Sequence, residues 1–167
     1  MAVDFTIDQM KSTDWGQVRD IFAEGIETGS ASFETSPPSW EQWDKAHLPF
    51  CRLVARCEGC VVGWAALTLT SARPAYAGVA EASLYIANDY RRKGVGQALL
   101  SALVRESEAH GIWTLQAVVF AENAPSLALL EKLDYRVVGR RERIAKLNGA
   151  WRDTILLERR SSVVGVN

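Results

Sequence analysis

The sequence predicts an α+β protein, with a mixed, largely antiparallel sheet flanked by helices. With 167 residues, the chain is long enough for one sizeable core. Its 48% hydrophobic and 23% charged residues are ordinary for a globular protein. The first half contains several strand patterns joined by turn signals, whereas the second half alternates strand, helix, strand and helix. This order is typical of an α/β sandwich, and we expect residues 1–167 to form a single domain.

The first half of the chain shows both kinds of apolar periodicity. Ser39 and Gln42 have the spacing of a capping box, which marks the start of a helix. Glu58-Gly59 is a hairpin signal between two apolar runs. The predicted elements are a strand over 3–7, a helix over Thr13–Glu27, a loop over 28–39, a short helix from Ser39, and strands over Cys51–Arg56, Cys60–Thr70 and Gly78–Ala87.

The second half has the clearer patterns. Gly111 follows a long amphipathic segment, at the place where a glycine commonly ends a helix. Asn148-Gly149 is a strong signal for a tight hairpin turn. The predicted elements are a helix over Gly94–His110, a strand over Ile112–Phe120, a helix over Asn123–Leu133, a strand over Tyr135–Gly139 and a last strand over Trp151–Glu158.

Charge and composition exclude several classes of protein. Lys plus Arg is 19 and Asp plus Glu is 20, so the basic excess of a nucleic-acid binder is missing. No apolar run approaches the roughly 20 residues of a membrane-spanning helix, and the first residues lack the pattern of a signal peptide. We therefore expect a cytoplasmic protein without nucleic-acid or membrane partners. Cys57 and Cys60 have no second ligand pair, so we expect no metal.

The most informative segment joins a strand to the longest helix. The turn Arg91-Arg92-Lys93-Gly94-Val95-Gly96 opens that helix. Unpaired N–H groups and the helix dipole favour an anion at such a position, and glycines permit close approach. A phosphate or diphosphate site follows, although an ordinary helix start with surface charges is the alternative. Gln97 excludes a Walker loop, and Leu99 excludes a dinucleotide fingerprint.

This turn resembles the Arg/Gln-x-x-Gly-x-Gly/Ala loop of the GNAT superfamily of acetyltransferases. Glu122-Asn123-Ala124-Pro125-Ser126 is similar to the family segment that opens the next helix. The likeness is greatest to the phosphinothricin and methionine-sulfone acetyltransferase group. Five further segments carry that resemblance: Ala31–Thr35, Arg73–Tyr76, Val79–Tyr85, Gly111–Ala117 and Gly149–Asp153.

The resemblance implies that acetyl-CoA is the co-substrate and lies in a cleft between two splayed parallel strands. The pantetheine chain would pair with backbone groups of Leu84 and Ile86. A backbone N–H at Leu84 or Tyr85 would polarise the thioester carbonyl. The diphosphate would lie on the turn ahead of the long helix. The residues implied for cofactor binding are Leu84, Tyr85, Ile86, Arg91, Arg92, Lys93, Gly94, Val95, Gly96, Asn123 and Ser126.

The resemblance also implies an acceptor site. Glu81 matches the catalytic glutamate, a base that would take a proton from the amine directly or through water; a solvated strand glutamate is the alternative. Arg73 matches a substrate-binding arginine, and a guanidinium suits capture of a carboxylate or phosphinate. The residues implied for substrate binding are Phe33, Glu34, Arg73, Tyr76, Glu81 and Trp151.

One position departs from the family pattern. Leu130 occupies the place where the family commonly has His or Tyr, and leucine cannot donate a proton. The leaving thiolate would then need no acid, or Tyr85 or water would serve. The expected function is acetylation of the α-amino group of a small amino acid or analogue, by direct transfer and in a homodimer. The alternatives are acetylation of a protein N-terminus or another amine, and an acyl-CoA-binding regulatory domain with little turnover.

Overall fold

The computed structural model describes residues 2–167, and all element bounds below refer to that range. Its α helices pack on both faces of one central sheet, and short 3-10 turns join some of the elements. In chain order the elements are β1 (Thr6–Gln9), α1 (Trp15–Glu27), α2 (Trp40–Ala46), β2 (Leu53–Cys57), β3 (Cys60–Leu69), β4 (Val79–Ile86), α3 (Val95–Ala109), β5 (Thr114–Phe120), α4 (Ala124–Lys132), β6 (Arg136–Leu147) and β7 (Ala150–Arg160).

The sheet has seven strands within residues 2–167, in the order β1-β2-β3-β4-β5-β7-β6. Only the β4–β5 neighbours run parallel; every other pair is antiparallel. One face of the sheet packs against α3 through a core that includes Leu99, Leu103 and Leu115. The other face packs against α1 and α2 around Trp43 and Trp64. The predicted α+β class with a largely antiparallel sheet is therefore confirmed.

The turn chemistry also behaves as the sequence predicts. Asn148 and Gly149 both have positive φ values, of 49° and 82°, as the tight β6–β7 turn requires. Gly111 follows α3 with a φ of 81°. The Ser39 side chain accepts a hydrogen bond from the Gln42 backbone, which confirms the capping box at α2.

Two strands were predicted poorly, and both lie at the edges of the sheet. β1 spans Thr6–Gln9, whereas the predicted strand covered 3–7. β6 has 12 residues and continues far beyond Gly139, where the predicted strand ended. Most side chains of β6 are exposed and its register shifts against β7 between Arg141 and Ala145, so no regular apolar alternation marks it.

A buried ion pair ties the start of α1 to the sheet. Helix α1 begins at Trp15 rather than at Thr13, because the Asp14 carboxylate accepts the Lys11 backbone N–H at 2.8 Å and a short 3-10 turn precedes the helix. Asp14 is 4% exposed, and two guanidinium nitrogens of Arg56 donate to its oxygens at 2.8 and 2.7 Å. The hydrogen bonds from Arg56 hold the pKa of Asp14 below its usual range, against the opposing effect of burial.

We expect the Asp14→Asn variant to be destabilised by about 2–3 kcal/mol at neutral pH, because Arg56 loses its buried partner. The native pKa of Asp14 is lowered relative to the unfolded chain. The contribution of the ionised Asp14 to the free energy of unfolding is therefore complete above about pH 5. It disappears as the pH falls through the native pKa of Asp14. Urea unfolding at pH 7 and pH 3 measures the difference in unfolding free energy between Asp14→Asn and wild type. Asp20→Asn, an exposed control, should match wild type; a D14N penalty that persisted unchanged at low pH would contradict the assignment.

No helix within residues 2–167 combines the length and the apolar character needed to cross a membrane.

Candidate active site

The site lies where β4 and β5 separate. These parallel strands pair at only three positions, Val79 to Glu81 against Thr114 to Gln116, and then diverge. β3 and β7 continue to pair with their outer edges. The inner edges beyond Glu81 therefore lack a strand partner, and their backbone groups can bind a ligand.

A cavity of about 680 Å³ occupies this gap. Glu81 and Ser83 line it, and so do Ala82 and Leu84, which alternate with them along β4. Since alternate residues of a strand point to opposite faces, the cavity passes through the sheet. The predicted cleft between splayed strands is thus present. Of the predicted site residues, those on its wall are Phe33, Glu34, Glu81, Leu84, Tyr85, Asn123 and Ser126.

The turn of residues 91–96, here called the anion turn, lies at the start of α3. Gly94 has a φ of 84° and Arg92 a φ of 60°, so the chain reverses sharply before the helix begins at Val95. Exposed Arg91, Arg92 and Lys93 take part in no ion pair within residues 2–167. Their charge adds to the positive end of the helix dipole.

Gly96 joins the anion turn to the cleft. A β-carbon at Gly96 would lie 3.3 Å from Leu129 of α4 and 3.7 Å from both Ile86 and Leu84 of β4. Leu84 and Leu129 themselves line the cavity. Glycine therefore keeps the gap open between the start of α3, α4 and β4.

Glu81 occupies the last paired position before the strands diverge. Its Oε1 accepts a hydrogen bond from Gln116 Nε2 at 3.0 Å, which fixes the carboxylate across the β4–β5 junction. The residue is partly buried and faces the same side of the sheet as Ser83 and Tyr85. A base at this point can reach an amine held on the α1 side of the cleft.

The Tyr85 ring is packed between other aromatic rings, and its hydroxyl already has a hydrogen-bond partner. Its ring stacks on Trp64 with centroids 5.0 Å apart and lies 4.8 Å from Phe22. Its hydroxyl donates to the Ala31 carbonyl at 3.3 Å. Burial raises the pKa of the Tyr85 phenol, so the group stays protonated at neutral pH. Leu130, at the position of the usual acid, is 7% exposed and belongs to the core.

Residues 28–39, the acceptor loop, cover one mouth of the cavity. Phe33 packs edge-on against Phe120 with centroids 4.7 Å apart. Arg152 lies 4.2 Å over Phe120, donates to the Gly29 carbonyl at 2.8 Å and forms an ion pair with Glu122. The loop is thereby attached to β5, β7 and the start of α4. Sequence reasoning missed Arg152, although alternation along β7 places it opposite exposed Trp151.

Trp43, His47 and Trp64 form an aromatic wall that sequence reasoning also missed. His47 stacks on Trp43 at 4.0 Å, and its Nδ1 donates to the Trp43 carbonyl at 2.7 Å. Burial lowers the pKa of His47, which keeps the ring neutral near pH 7. All three residues line the cavity on the α2 side. The wall makes this end of the cavity aromatic and uncharged, which suits the apolar part of a small acceptor.

The predicted binding residues are not all brought together. Asn123 accepts the Ser126 backbone N–H at 3.3 Å and donates to the Ser30 carbonyl at 3.2 Å, so it also holds α4 against the acceptor loop. Arg73, Tyr76 and Trp151 are exposed and absent from the cavity wall of their own chain. Lys146 lies 4.7 Å over the Trp151 ring. These three residues are free to meet another molecule at the surface.

Known proteins share both the sequence pattern and this architecture. Residues 15–135 match the model of the acetyltransferase (GNAT) family. The phosphinothricin N-acetyltransferase of Streptomyces viridochromogenes is 32% identical over 146 residues, 85% of this chain and 80% of that protein. The L-methionine sulfoximine/L-methionine sulfone acetyltransferase of Pseudomonas aeruginosa strain PAO1 is 30% identical over 83 residues, 50% of this chain and 48% of that protein.

A solved structure extends the likeness to nearly the whole chain. The GNAT superfamily phosphinothricin acetyltransferase of Sinorhizobium meliloti, in complex with acetyl-CoA, superposes with a TM-score of 0.88 at 27% identity. The superposition covers 98% of this chain and 91% of that one. The family match spans more than half of the residues, and the relatives agree with it in sequence and fold. The chain belongs to the GNAT family of acetyltransferases.

Proposed function

We propose that this chain transfers the acetyl group of acetyl-CoA directly to the α-amino group of a small amino acid or analogue. Phosphinothricin, methionine sulfone and methionine sulfoximine are the proposed classes, in line with the names of the relatives. One observation carries the proposal: a cleft through the sheet begins at Glu81, and Gly96 of the anion turn lies against Leu84 and Leu129 of its wall. We further propose that residues 1–167 act as a single acetyltransferase domain in the cytoplasm.

The residues present fit CoA. The N–H groups of the anion turn would bind the diphosphate, with Arg91, Arg92 and Lys93 supplying positive charge. The missing side chain of Gly96 leaves room for it beside Leu129. The free edge of β4 would hold the pantetheine arm through Leu84 and Ile86, and Ser126 of α4 would contact that arm from the other side.

Glu81 would act as the general base. An α-amino group titrates at about pH 8 in a peptide and higher in a free amino acid, so most of the acceptor is protonated and unreactive at neutral pH. The carboxylate, oriented by Gln116, would accept that proton directly or through one water. A β4 backbone N–H at Leu84 or Tyr85 would stabilise the oxyanion that forms on the thioester.

The departing thiolate would leave without help from residue 130. Thiols titrate near pH 8.5, so a thiolate is a fair leaving group without an acid. Tyr85 keeps its proton, but its hydroxyl is bound to the Ala31 carbonyl. Water in the cleft is therefore the better source of the proton that CoA takes up.

Arg73 would bind the carboxylate of the acceptor. We expect Arg73→Ala to raise the acceptor KM by at least about tenfold, because a charge-assisted pair is lost. The KM of acetyl-CoA should remain unchanged. Steady-state kinetics with both substrates varied would measure this, with exposed Arg105→Ala as the matched control. Equal rises in both KM values would count against the assignment.

We also propose a homodimer with its acceptor site near the interface. Val137, Val138, Ile144 and Trp151 of the β6–β7 hairpin are 44–54% exposed, and an apolar surface on an edge strand favours a partner. A partner there would give exposed Arg73 and Tyr76 a role at the acceptor site.

We expect Val138→Glu to convert the dimer into a monomer, since a charge would be buried in the interface. Light scattering after gel filtration measures the mass, and Val166→Glu, which replaces another exposed valine outside the hairpin, is the control. A wild-type protein that is monomeric at micromolar concentration would refute the dimer.

The proposed function is tested by thiol release from acetyl-CoA with a panel of amines. Saturable release with a sulfone, sulfoximine or phosphinate amino acid supports the proposal. Release only with peptides bearing a free N-terminus would favour an acetyltransferase that acts on protein N-termini. CoA binding without release for any amine would favour a regulatory domain, the reading that buried Leu130 motivates.

A further inference from the structure

A cluster of metal-ligating side chains lies at the opposite end of α3 from the anion turn. It contains Cys51, just before β2, and Glu106 and His110 at the C-terminal end of α3. One ligand atom from each residue lies within 4.8 Å of the other two. No sequence motif marks the cluster, because Cys51 and Glu106 lie 55 positions apart and the Cys57–Cys60 pair lies elsewhere.

The distances are close to those of a tetrahedral site. Cys51 Sγ lies 3.9 Å from His110 Nδ1. Zinc bonds of about 2.3 Å to sulfur and 2.0 Å to nitrogen place those two atoms about 3.5 Å apart. A closing movement of about an ångström by the partly exposed Glu106 and His110 side chains would complete the geometry.

The surroundings already orient these ligands. Gln9 Nε2 donates to both carboxylate oxygens of Glu106, at 3.1 and 3.0 Å. Phe50 stacks on the His110 ring, with centroids 4.5 Å apart and planes 1° from parallel. Outer contacts of this kind hold metal ligands in place. The Cys51 side chain is fully buried and faces this cluster from inside the fold.

Charge favours a cation here. Glu106 has no Lys or Arg ion-pair partner within the described part of the chain. The C-terminal end of α3 carries the negative end of the helix dipole, which a cation stabilises. Thiolate, imidazole and carboxylate are each ligand types that zinc accepts.

We propose that Cys51, Glu106 and His110 bind one Zn²⁺, with water as the fourth ligand. Binding releases the thiol proton of Cys51. His110 Nδ1 now donates to the Glu106 carbonyl at 2.9 Å; on binding, its proton moves to Nε2 and Nδ1 takes the metal. The ion joins the end of α3 to the start of β2. Helix α3 has 15 residues and is therefore about 22 Å long, so this site is remote from the acetyl-transfer cleft.

Cobalt titration tests the proposal, because Co²⁺ bound to a thiolate gives a charge-transfer absorption that zinc then displaces. The background is the Cys57→Ser/Cys60→Ser double variant, which leaves Cys51 as its sole thiol. We expect this variant to bind one Co²⁺ with the thiolate band. His110→Gln and Glu106→Gln in the same background should weaken binding at least about tenfold. Cys51→Ser should abolish the band.

Thermal unfolding provides a second measurement. It does not depend on the Cys51 variant, which could be destabilised by the loss of a buried side chain. Zinc should raise the Tm of the double variant but not that of its His110→Gln derivative. Acetyl transfer should survive chelation, so failure of this site and failure of the proposed function are distinguishable. A cobalt band unaffected by His110→Gln, or no zinc uptake at micromolar metal, would overturn the proposal.

Discussion

Replacing Gly96 with leucine is expected to weaken CoA binding by at least about 100-fold. The first added carbon would already lie 3.3 Å from Leu129, and the rest of the side chain would fill the α3 end of the cleft beside Leu84. The side chain would also shield the N–H groups that the diphosphate needs. Isothermal titration with CoA measures the loss, and Gly96→Ala should fall between leucine and wild type.

The matched control is Gly16→Leu. Gly16 lies in α1, and a β-carbon there would meet no atom within 4 Å. That variant should bind CoA as wild type does. Circular dichroism must show that both variants remain folded. Undiminished CoA binding by folded Gly96→Leu would remove the basis for placing the diphosphate on the anion turn.

Exchanging Glu81 for glutamine is expected to lower kcat by about 100- to 10,000-fold, the range associated with loss of a general base. The glutamine oxygen can still accept the hydrogen bond from Gln116, so the local geometry should persist. The KM of acetyl-CoA should not change. The deficit should narrow as the pH rises through about 8, because more of the acceptor amine is then unprotonated.

Glu131→Gln is the control for this substitution, because Glu131 is exposed at the C-terminal end of α4. Thiol release under saturating acetyl-CoA, measured from pH 6 to pH 10, gives the dependence of kcat on pH for Glu81→Gln and for the control. If Glu81→Gln turned over at the wild-type rate at pH 7, Glu81 would be no more than a strand residue that holds Gln116.

The elements that the sequence predicts well carry their own signals. Helix α3 has a regular apolar stripe and a terminal glycine, and the β6–β7 turn has its asparagine-glycine pair. The cleft followed from the family resemblance, since no local pattern reveals that β4 and β5 part after Glu81. The bounds of edge strands β1 and β6 were predicted poorly; most of β6 is exposed, and a strand in that position needs no apolar alternation.

Residues distant in sequence were the main omission at the site. Trp43, His47 and Trp64 form one wall only because α2 folds over β3. Trp43 and Trp64 also belong to the core on this face of the sheet. Sequence analysis selected Trp151 and not its neighbour Arg152. The hydrogen bond from Arg152 to the Gly29 carbonyl of the acceptor loop joins residues 123 positions apart. Such contacts depend on tertiary structure, which periodicity and caps do not describe.

The brief parallel pairing of β4 with β5 has a consequence for the stability of the empty protein. These three residue pairs are the only strand pairing between the N-terminal four strands and the C-terminal three within residues 2–167. A ligand bound between β4 and β5 would add contacts between the two halves of the sheet. Because such a ligand binds the native state alone, the loaded protein resists unfolding by an amount that grows with ligand concentration. If acetyl-CoA is that ligand, as proposed, its concentration would set part of the free energy of unfolding.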